Sequence, residues 1–245
     1  MKVFYQTEWH GISFRSFART SAIKVANAGF YNAFYQAFFA RFKSYEELDG
    51  DWRKAKEDIA EWLVKDLIAG KRIMSIGCGI GFMEQYLWGK FGSQFDLHVS
   101  DYASDAHRWL NNILPVEQIH TGGEVVNSCD LIYLSAVDYA LQDDELVELL
   151  LRLRSCLLPG GKLVIISASF LEKLPAYKRF ISSVKDIIKW LLNRMGLRHR
   201  GQLWGWMRSR SEYQSIMLKA GFTSVSDGFI ATRLQKAYWI KGAVT

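Results

Sequence analysis

The chain has 245 residues, 49% of them hydrophobic, with 31 Lys and Arg against 25 Asp and Glu and a net charge of +6. That length allows one substantial core, or one core with a helical extension, and excludes two large domains; the apolar content excludes disorder of the whole. The charge is uneven: residues 172–210 hold ten Lys and Arg against Glu172 and Asp186, while the remainder carries 21 basic and 23 acidic residues. A nearly neutral body with one cationic segment argues against a general nucleic-acid surface and for a local patch facing anions. Cys78, Cys129 and Cys156 are widely separated and the five histidines are scattered, so no metal or disulfide framework is expected.

The opening MKVFYQTEWH has no apolar signal-peptide core, and no window has the length of a membrane span, so a cytoplasmic protein is expected. Phe30, Tyr31, Phe34, Tyr35, Phe38, Phe39 and Phe42 recur near helical period and predict an N-terminal helix packed on the main body. A role as a lid over the acceptor is compatible with that packing. Residues 51–69 read as a second amphipathic helix, with Asp51 as its cap and Gly70 as its left-handed terminator. The period then changes. KRIMSI at 71–76 is a buried-strand pattern running into Gly77-Cys78-Gly79-Ile80-Gly81 and the helical stretch FMEQYLWGKF.

FDLHVS at 95–100 reads as the second strand and ends at Asp101, before a helical stretch. LIYLS at 131–135, the helix DDELVELLLRLRSCL at 143–157 and the strand KLVIIS at 162–167 follow, with Pro159-Gly160-Gly161 as the turn before that strand. Such βαβ alternation predicts a doubly wound, mainly parallel α/β sheet covered on both faces. Beyond the basic segment, Ser209 and Glu212 have capping-box spacing and Gly221 stands where a helix-ending glycine belongs. FTSVSDGF and LQKAYWIK read as a final antiparallel pair.

A strand that ends in Gly-x-Gly-x-Gly and enters a helix lets the backbone approach a ligand closely, beside unpaired helix N–H groups. Asp101, closing the next strand, suits ribose hydroxyls, which offer two donors to two carboxylate oxygens. The dinucleotide fingerprint needs a third glycine where this chain has Phe82, so a dehydrogenase falls behind. A nucleoside triphosphatase is weaker still, since no Lys-Ser or Lys-Thr follows the loop.

IMSIGCGIG resembles the first motif of the class I S-adenosylmethionine-dependent methyltransferases. Asp101 matches their acidic residue after the second strand, CDLIYLSAVDYAL resembles their fourth-strand region, and LLPGGKLVII resembles their fifth. The resemblance spans roughly residues 70–241 and implies a seven-stranded sheet with the last strand inserted antiparallel. It also implies a domain division: an N-terminal helical extension at 1–69, then a cofactor-binding domain at 70–245 with a basic helical insertion at 172–210. By position, Gly77, Cys78, Gly79 and Gly81 would line the methionine end of S-adenosyl-L-methionine. Asp101 would hold the ribose, Tyr102 would lie beside the adenine, and Ser135 would stand near the reaction centre. His120 and Glu124 have no secure counterpart. The chain departs from the many small-molecule members that carry a Glu-His pair after the fourth strand, having Tyr139 and Ala140 there. Ser135-Ala136-Val137-Asp138 replaces the Asn/Asp-Pro-Pro-aromatic motif of the amino-methylating nucleic-acid enzymes.

The implied reaction is displacement at the sulfonium methyl group by a nucleophile aligned behind it. A hydroxyl nucleophile gains from a nearby base, and Asp138 is the first candidate, with capping of the following helix weighted equally. Tyr139 and His10 are weaker candidates, and Tyr5 is a further one that also faces the acceptor. In the basic segment Phe180, Val184, Ile187, Ile188, Leu191 and Met195 form one apolar stripe, interrupted by Lys178, Lys185, Lys189 and Arg194. The plain reading is a helix covering the sheet edge with its cations kept wet. The sharper readings are an anionic acceptor, or the inner membrane surface carrying a lipid-linked one. On either, Lys185, Lys189, Arg194, Arg198, Trp204 and Trp206 are the acceptor contacts. The preferred expectation is O-methylation of a small polar or carbohydrate acceptor, with nucleic acid disfavoured. RNA methylation and a non-catalytic cofactor-binding scaffold stand as alternatives.

Overall fold

Met74 and Ile73 are wholly buried and Ile76 nearly so, and burial on both faces makes the strand that carries them the centre of the sheet. The computed structural model describes residues 2–17, 27–65, 67, 69–171, 184, 187, 188, 191, 192, 195 and 203–244. In chain order these form β1 (Lys2–Gln6), β2 (Glu8–Trp9), β3 (Ile12–Ser13), α1 (Ala28–Arg41), α2 (Gly50–Val64), β4 (Arg72–Ile76), α3 (Phe82–Phe91) and β5 (Asp96–Asp101). Then come β6 (Ile119–Thr121), β7 (Cys129–Ser135), α4 (Asp143–Ser155), β8 (Leu157–Ser167), β9 (Leu203–Met207), α5 (Arg210–Lys219), β10 (Ser226–Ala231) and β11 (Lys236–Ala243).

The main sheet has seven strands in the order β10-β11-β8-β7-β4-β5-β6. β4 pairs in parallel with β5 and β7, β5 with β6, and β7 with β8, whereas β11 runs antiparallel between β8 and β10. The chain moves outward from β4 through β5 and β6, then returns to place β7 on the other side. The β4–β7 seam is therefore the point where the winding reverses, and crevices of this kind open at the carboxyl ends of the strands.

One face is covered by α4 and α5, through Leu146, Leu150, Leu153, Tyr213, Ile216 and Met217. The other is covered by α2 and α3, through Ile59, Ala60, Leu63, Met83 and Leu87. A third, aromatic cluster joins Phe34, Tyr35, Phe38 and Phe39 of α1 to Tyr45, Ile80 and Phe82, and so seats α1 against the turn after β4. Asn27 caps α1, its Oδ1 accepting from the Phe30 amide at 3.0 Å.

Several local expectations change. α2 is capped by Asp49, whose Oδ1 accepts from the Trp52 amide at 2.7 Å. Asp51 falls in the first turn instead, where its charge suits the helix dipole, and pairs with Arg233 at 2.6 Å. α2 ends at Val64, so Gly70 is not its terminator. After Asp101 the chain forms 3-10 turns at Ser104–Arg108 and Leu110–Asn112 where a helical stretch was expected. Pro159-Gly160-Gly161 lies inside β8 rather than before it. There the β7–β8 register jumps, from Cys129 opposite Leu157 to Leu131 opposite Lys162. Val244 supports the irregularity by accepting from Gly160 N at 2.9 Å and donating to Gly161 O at 3.1 Å. At the N-terminus, β1 pairs antiparallel with β9, Tyr5 opposite Trp204, which the sequence pattern does not announce.

Part of the cationic segment is interior. Arg208 is fully buried; its Nε donates to Asp143 Oδ1 at 2.8 Å, Nη1 to the Asp138 carbonyl at 2.8 Å and Nη2 to the Leu141 carbonyl at 2.6 Å. Arg210 pairs with Asp227 at 2.9 Å. These two charges clamp the β7–α4 connection and β10 rather than facing a ligand. Arg208→Met strands two carbonyls and Asp143 at once. It is expected to lower unfolding free energy by about 3–5 kcal/mol in urea titrations, whereas Arg210→Met, at a half-exposed pair, is expected to cost under about 1 kcal/mol.

Candidate functional site

A cavity of about 980 Å3 opens at the carboxyl ends of β4, β5, β7 and β8. Its floor is the turn after β4, with Gly77, Cys78 and Gly79; its walls include Asp101, Tyr102, Ser135, Val137 and Tyr139; Tyr31 and Tyr35 of α1 and Trp52 and Lys56 of α2 close over it.

The turn is held by the next strand. The amides of Gly77 and Cys78 donate to the Ser100 carbonyl at 2.7 and 3.2 Å, and that of Gly79 donates to Asp101 Oδ2 at 2.9 Å. Asp101 Oδ1 accepts from the Ala103 amide at 2.9 Å. Burial pushes the Asp101 carboxyl above its ordinary range, while bonds from the Ala103 and Gly79 amides pull it back. Two of the glycines answer to packing as well as to backbone geometry. Gly77 has φ +69° and a Cβ there would stand 2.4 Å from Val137 Cγ2; Gly81 has φ +74° and a Cβ would stand 2.3 Å from Leu110 Cδ1. Gly81 starts α3 and does not line the cavity, so its part is to let α3 begin against Leu110. Tyr102 stands at the rim with 64% of its surface exposed.

The three expected catalytic residues part company. Asp138 is fully buried and does not line the cavity. Its Oδ2 accepts from Ser167 Oγ at 2.9 Å and from the Tyr213 hydroxyl, which ties the β7–α4 turn to β8 and α5. That placement removes Asp138 as a base acting on a substrate, because no ligand in the cavity reaches its carboxylate. His10 also lies off the cavity. Its ring meets Trp9, Phe38, Phe42 and Trp52 at centroid distances of 4.9–6.2 Å, and burial followed by the Lys56 charge lowers its pKa to about 4. Such a ring packs; it does not shuttle protons at neutral pH. Tyr139 lines the cavity and shares a hydrogen bond with Tyr31, and burial raises both phenols.

Of the expected acceptor contacts, Lys185, Lys189, Arg194 and Arg198 lie outside the described residues, as do the side chains of Tyr5 and Trp204. Trp206 is half-buried, offers its carbonyl to Ser169 Oγ at 3.1 Å, and does not line the cavity. Its assignment to the acceptor is corrected to a place in β9.

Lys56 and Glu84 are the residues that sequence reasoning missed. Lys56 Nζ donates to Ser135 Oγ at 3.1 Å. Glu84 is 2% exposed, and its Oε1 accepts from Ser75 Oγ and the Tyr133 hydroxyl, each at 2.6 Å. A signal existed for both: Lys56 borders the Ala55, Ile59, Ala60, Leu63 stripe of α2, and Glu84 interrupts the apolar FMEQYLW. A charge placed on a buried helical face needs a reason. Among the described residues no group of three or more His, Cys, Asp or Glu is placed to hold a metal ion, and no helix is long and apolar enough to cross a membrane.

The model of a family described as a methyltransferase domain matches residues 45–227. No curated protein matches the chain. Among solved structures, magnesium protoporphyrin IX methyltransferase from Synechocystis PCC 6803, crystallised with bound SAH, superposes with a TM-score of 0.60 at 16% identity, covering 88% of this chain and 96% of its own. A protein from Nostoc punctiforme PCC 73102 assigned as an O-methyltransferase gives a TM-score of 0.59 at 14% identity, covering 93% of this chain and 65% of its own. The pyocyanin biosynthetic protein PhzM gives 0.57 at 18% identity, covering 89% and 64%. The chain thus spans about two thirds of the length of the last two.

Glu84 supplies a test of the buried chemistry. Burial holds its carboxyl above the ordinary value, with the Ser75 and Tyr133 bonds opposing. A carboxyl raised in the folded state contributes stability below its unfolded pKa and loses that contribution as pH rises through the folded one. Glu84→Gln keeps an oxygen acceptor for Ser75 and Tyr133 and removes the charge. The variant's stability relative to wild type is expected to grow between pH 4 and pH 8 in denaturant titrations, by about 1.4 kcal/mol for each pKa unit of displacement. A difference that does not change with pH would show that the carboxyl titrates normally.

Proposed function

Because the chain belongs to the methyltransferase-domain family, its match covering residues 45–227, we propose that it transfers the methyl group of S-adenosyl-L-methionine to an oxygen of a small, anionic acceptor. The observation that carries this reading is the joining of Asp101 to Gly79 in one cavity at the winding reversal. Asp101 accepts the Gly79 amide on Oδ2 and the Ala103 amide on Oδ1, and a carboxylate with about four lone-pair sites has room beside them for ribose hydroxyls. The glycine turn leaves its ligand-facing side free of side chains, and the exposed ring of Tyr102 is available to an adenine face. The residues present therefore fit the cofactor.

When bound, the cofactor supplies a sulfonium-activated methyl group open to direct displacement. The chain's own part is alignment and exclusion of water. Trp9, Tyr31, Tyr35, Trp52 and Tyr139 line the cavity with aromatic surface, which suits a planar ring or the apolar face of a sugar. No histidine is among the described residues that line it, and Asp138 is out of reach. An acceptor oxygen already ionised at neutral pH, a carboxylate or an acidic hydroxyl, needs no base. That preference favours an anionic acceptor over a neutral sugar hydroxyl.

A second reading concerns where the enzyme works, and a specific observation favours it. Val184, Ile187, Ile188, Leu191 and Met195, the stripe expected to cover the sheet edge, are between 43% and 66% exposed, and the Met195 amide donates to the Leu191 carbonyl at 3.0 Å with helical spacing. An exposed apolar stripe interleaved in sequence with Lys185, Lys189 and Arg194 suits the surface of an anionic bilayer.

Wild type is expected to bind S-adenosylhomocysteine and not NAD in calorimetry, and Asp101→Ala to weaken that binding about 10- to 100-fold, as the loss of hydrogen bonds to a charged group. Since Asp101 also holds Gly79, some thermal stability should be lost with it. Equal affinity in wild type and variant would sink the ribose assignment. For the second reading, vesicles containing phosphatidylglycerol should sediment the protein at low salt, less so in 0.5 M salt, and not after Ile187→Ser with Leu191→Ser. Sedimentation unaffected by these changes would leave the stripe without a membrane role.

A further inference from the structure

Lys56 lines the cavity from α2, and its Nζ donates to Ser135 Oγ at 3.1 Å. Leu134 pairs with Ile76, so Ser135 stands beside Gly77 across the β4–β7 seam. Among the described residues no carboxylate lies within ion-pair distance of Lys56; its neighbours there are one neutral hydroxyl and the Trp52 ring, 5.9 Å from Nζ to centroid. An ammonium group withdrawn from water with only a hydroxyl partner is poorly compensated, and a ligand anion would complete it. Burial pulls its pKa below the ordinary lysine value, and the Glu84 charge pulls it back. Arg152 and Lys236 also line the cavity, but from α4 and β11 rather than at this seam.

The three features of the sheet edge stand in a fixed order. Asp101 ends β5, the glycine turn follows β4, and Ser135 with Lys56 marks the end of β7. A ligand whose ribose meets Asp101 and whose chain follows the glycine turn brings its far end to the seam. Resting on the cofactor reading above, we propose that Lys56 holds the carboxylate of the amino-acid end of S-adenosylmethionine, with the Ser135 hydroxyl orienting the ammonium. The site is then a two-point clamp, a hydrogen-bond acceptor at the ribose hydroxyls and a cation at the carboxylate.

The test uses two probes that differ at that end. S-adenosylhomocysteine carries the carboxylate, whereas 5′-methylthioadenosine keeps the adenosine and sulfur and lacks it. By calorimetry, Lys56→Met is expected to weaken S-adenosylhomocysteine about 10- to 100-fold, the range for a hydrogen bond to a charged group, and to leave 5′-methylthioadenosine within about twofold. Lys56→Arg, which keeps a cation, should recover part of the loss. Retained 5′-methylthioadenosine binding reports an intact adenosine site, and Lys56→Gln carries the same comparison should the methionine variant not fold. Equal weakening of both probes would overturn the proposal in favour of a purely structural lysine. Unchanged binding of both would overturn it too and move Lys56 to the acceptor. Failure of wild type to bind either probe is a different outcome, since it removes the cofactor reading itself.

Discussion

The carboxylate of Asp101 accepts the Gly79 amide on one oxygen and the Ala103 amide on the other, and the shape of the site follows from that double bond. It fastens the turn after β4 to the end of β5, two strands already locked by their parallel ladder. With the turn fixed, α3 starts at Gly81 against Leu110 and Phe82 turns into the aromatic cluster with Tyr45 and Trp52. That cluster in turn seats α1 over the cavity. A carboxylate buried this deeply is costly to keep charged unless several donors face it, and the amides supply them without a counter-ion. The same carboxylate also lines the cavity.

The chain holds its other buried carboxylates with side-chain hydroxyls instead. Asp138 is enclosed by Ser167 and Tyr213, with Arg208 held on its own carbonyl. Glu84, at the cavity lining, is bonded on Oε1 by Ser75 and Tyr133. Both networks join strands to helices on opposite faces of the sheet. The three carboxylates thus differ in their donors: hydroxyls of Ser167 and Tyr213 for Asp138, hydroxyls of Ser75 and Tyr133 for Glu84, and backbone amides for Asp101.

Much of the sheet was legible because its signals are local. IMSI followed by three alternate glycines fixes a strand, a tight turn and a helix start in eleven residues, and Ser209 with Glu212 marks a helix start that both side chains complete. The position of Asp101, closing β5 at the cavity, was legible from the strand pattern. What escaped depends on contacts distant in sequence. The pairing of β1 with β9 carries no pattern in either strand. Asp138 looked available because it follows a strand at the cavity edge, yet Tyr213, seventy-five residues on, turns its carboxylate inward. Lys56 was hidden by its helix, in which a lysine beside an apolar stripe ordinarily snorkels to water. Asp49 and Asp51 are equally good caps by composition, and only the Trp52 amide chooses between them.

The pairing of Lys2–Gln6 with Leu203–Met207 also bears on the order of events during synthesis. β1 finds its partner only after some two hundred further residues have been made, so it waits unpaired while the central sheet assembles. Closing so long a loop carries an entropic cost that grows slowly with length, but the contact is non-local and comes late. Because β9 leads directly into Arg208 and its grip on the β7–α4 connection, that late event joins β1 to the interior of the sheet. An exposed early strand is a site for mispairing between nascent chains. Lys2 at its start and Glu8 just beyond its end place charge at both margins of the segment during that wait.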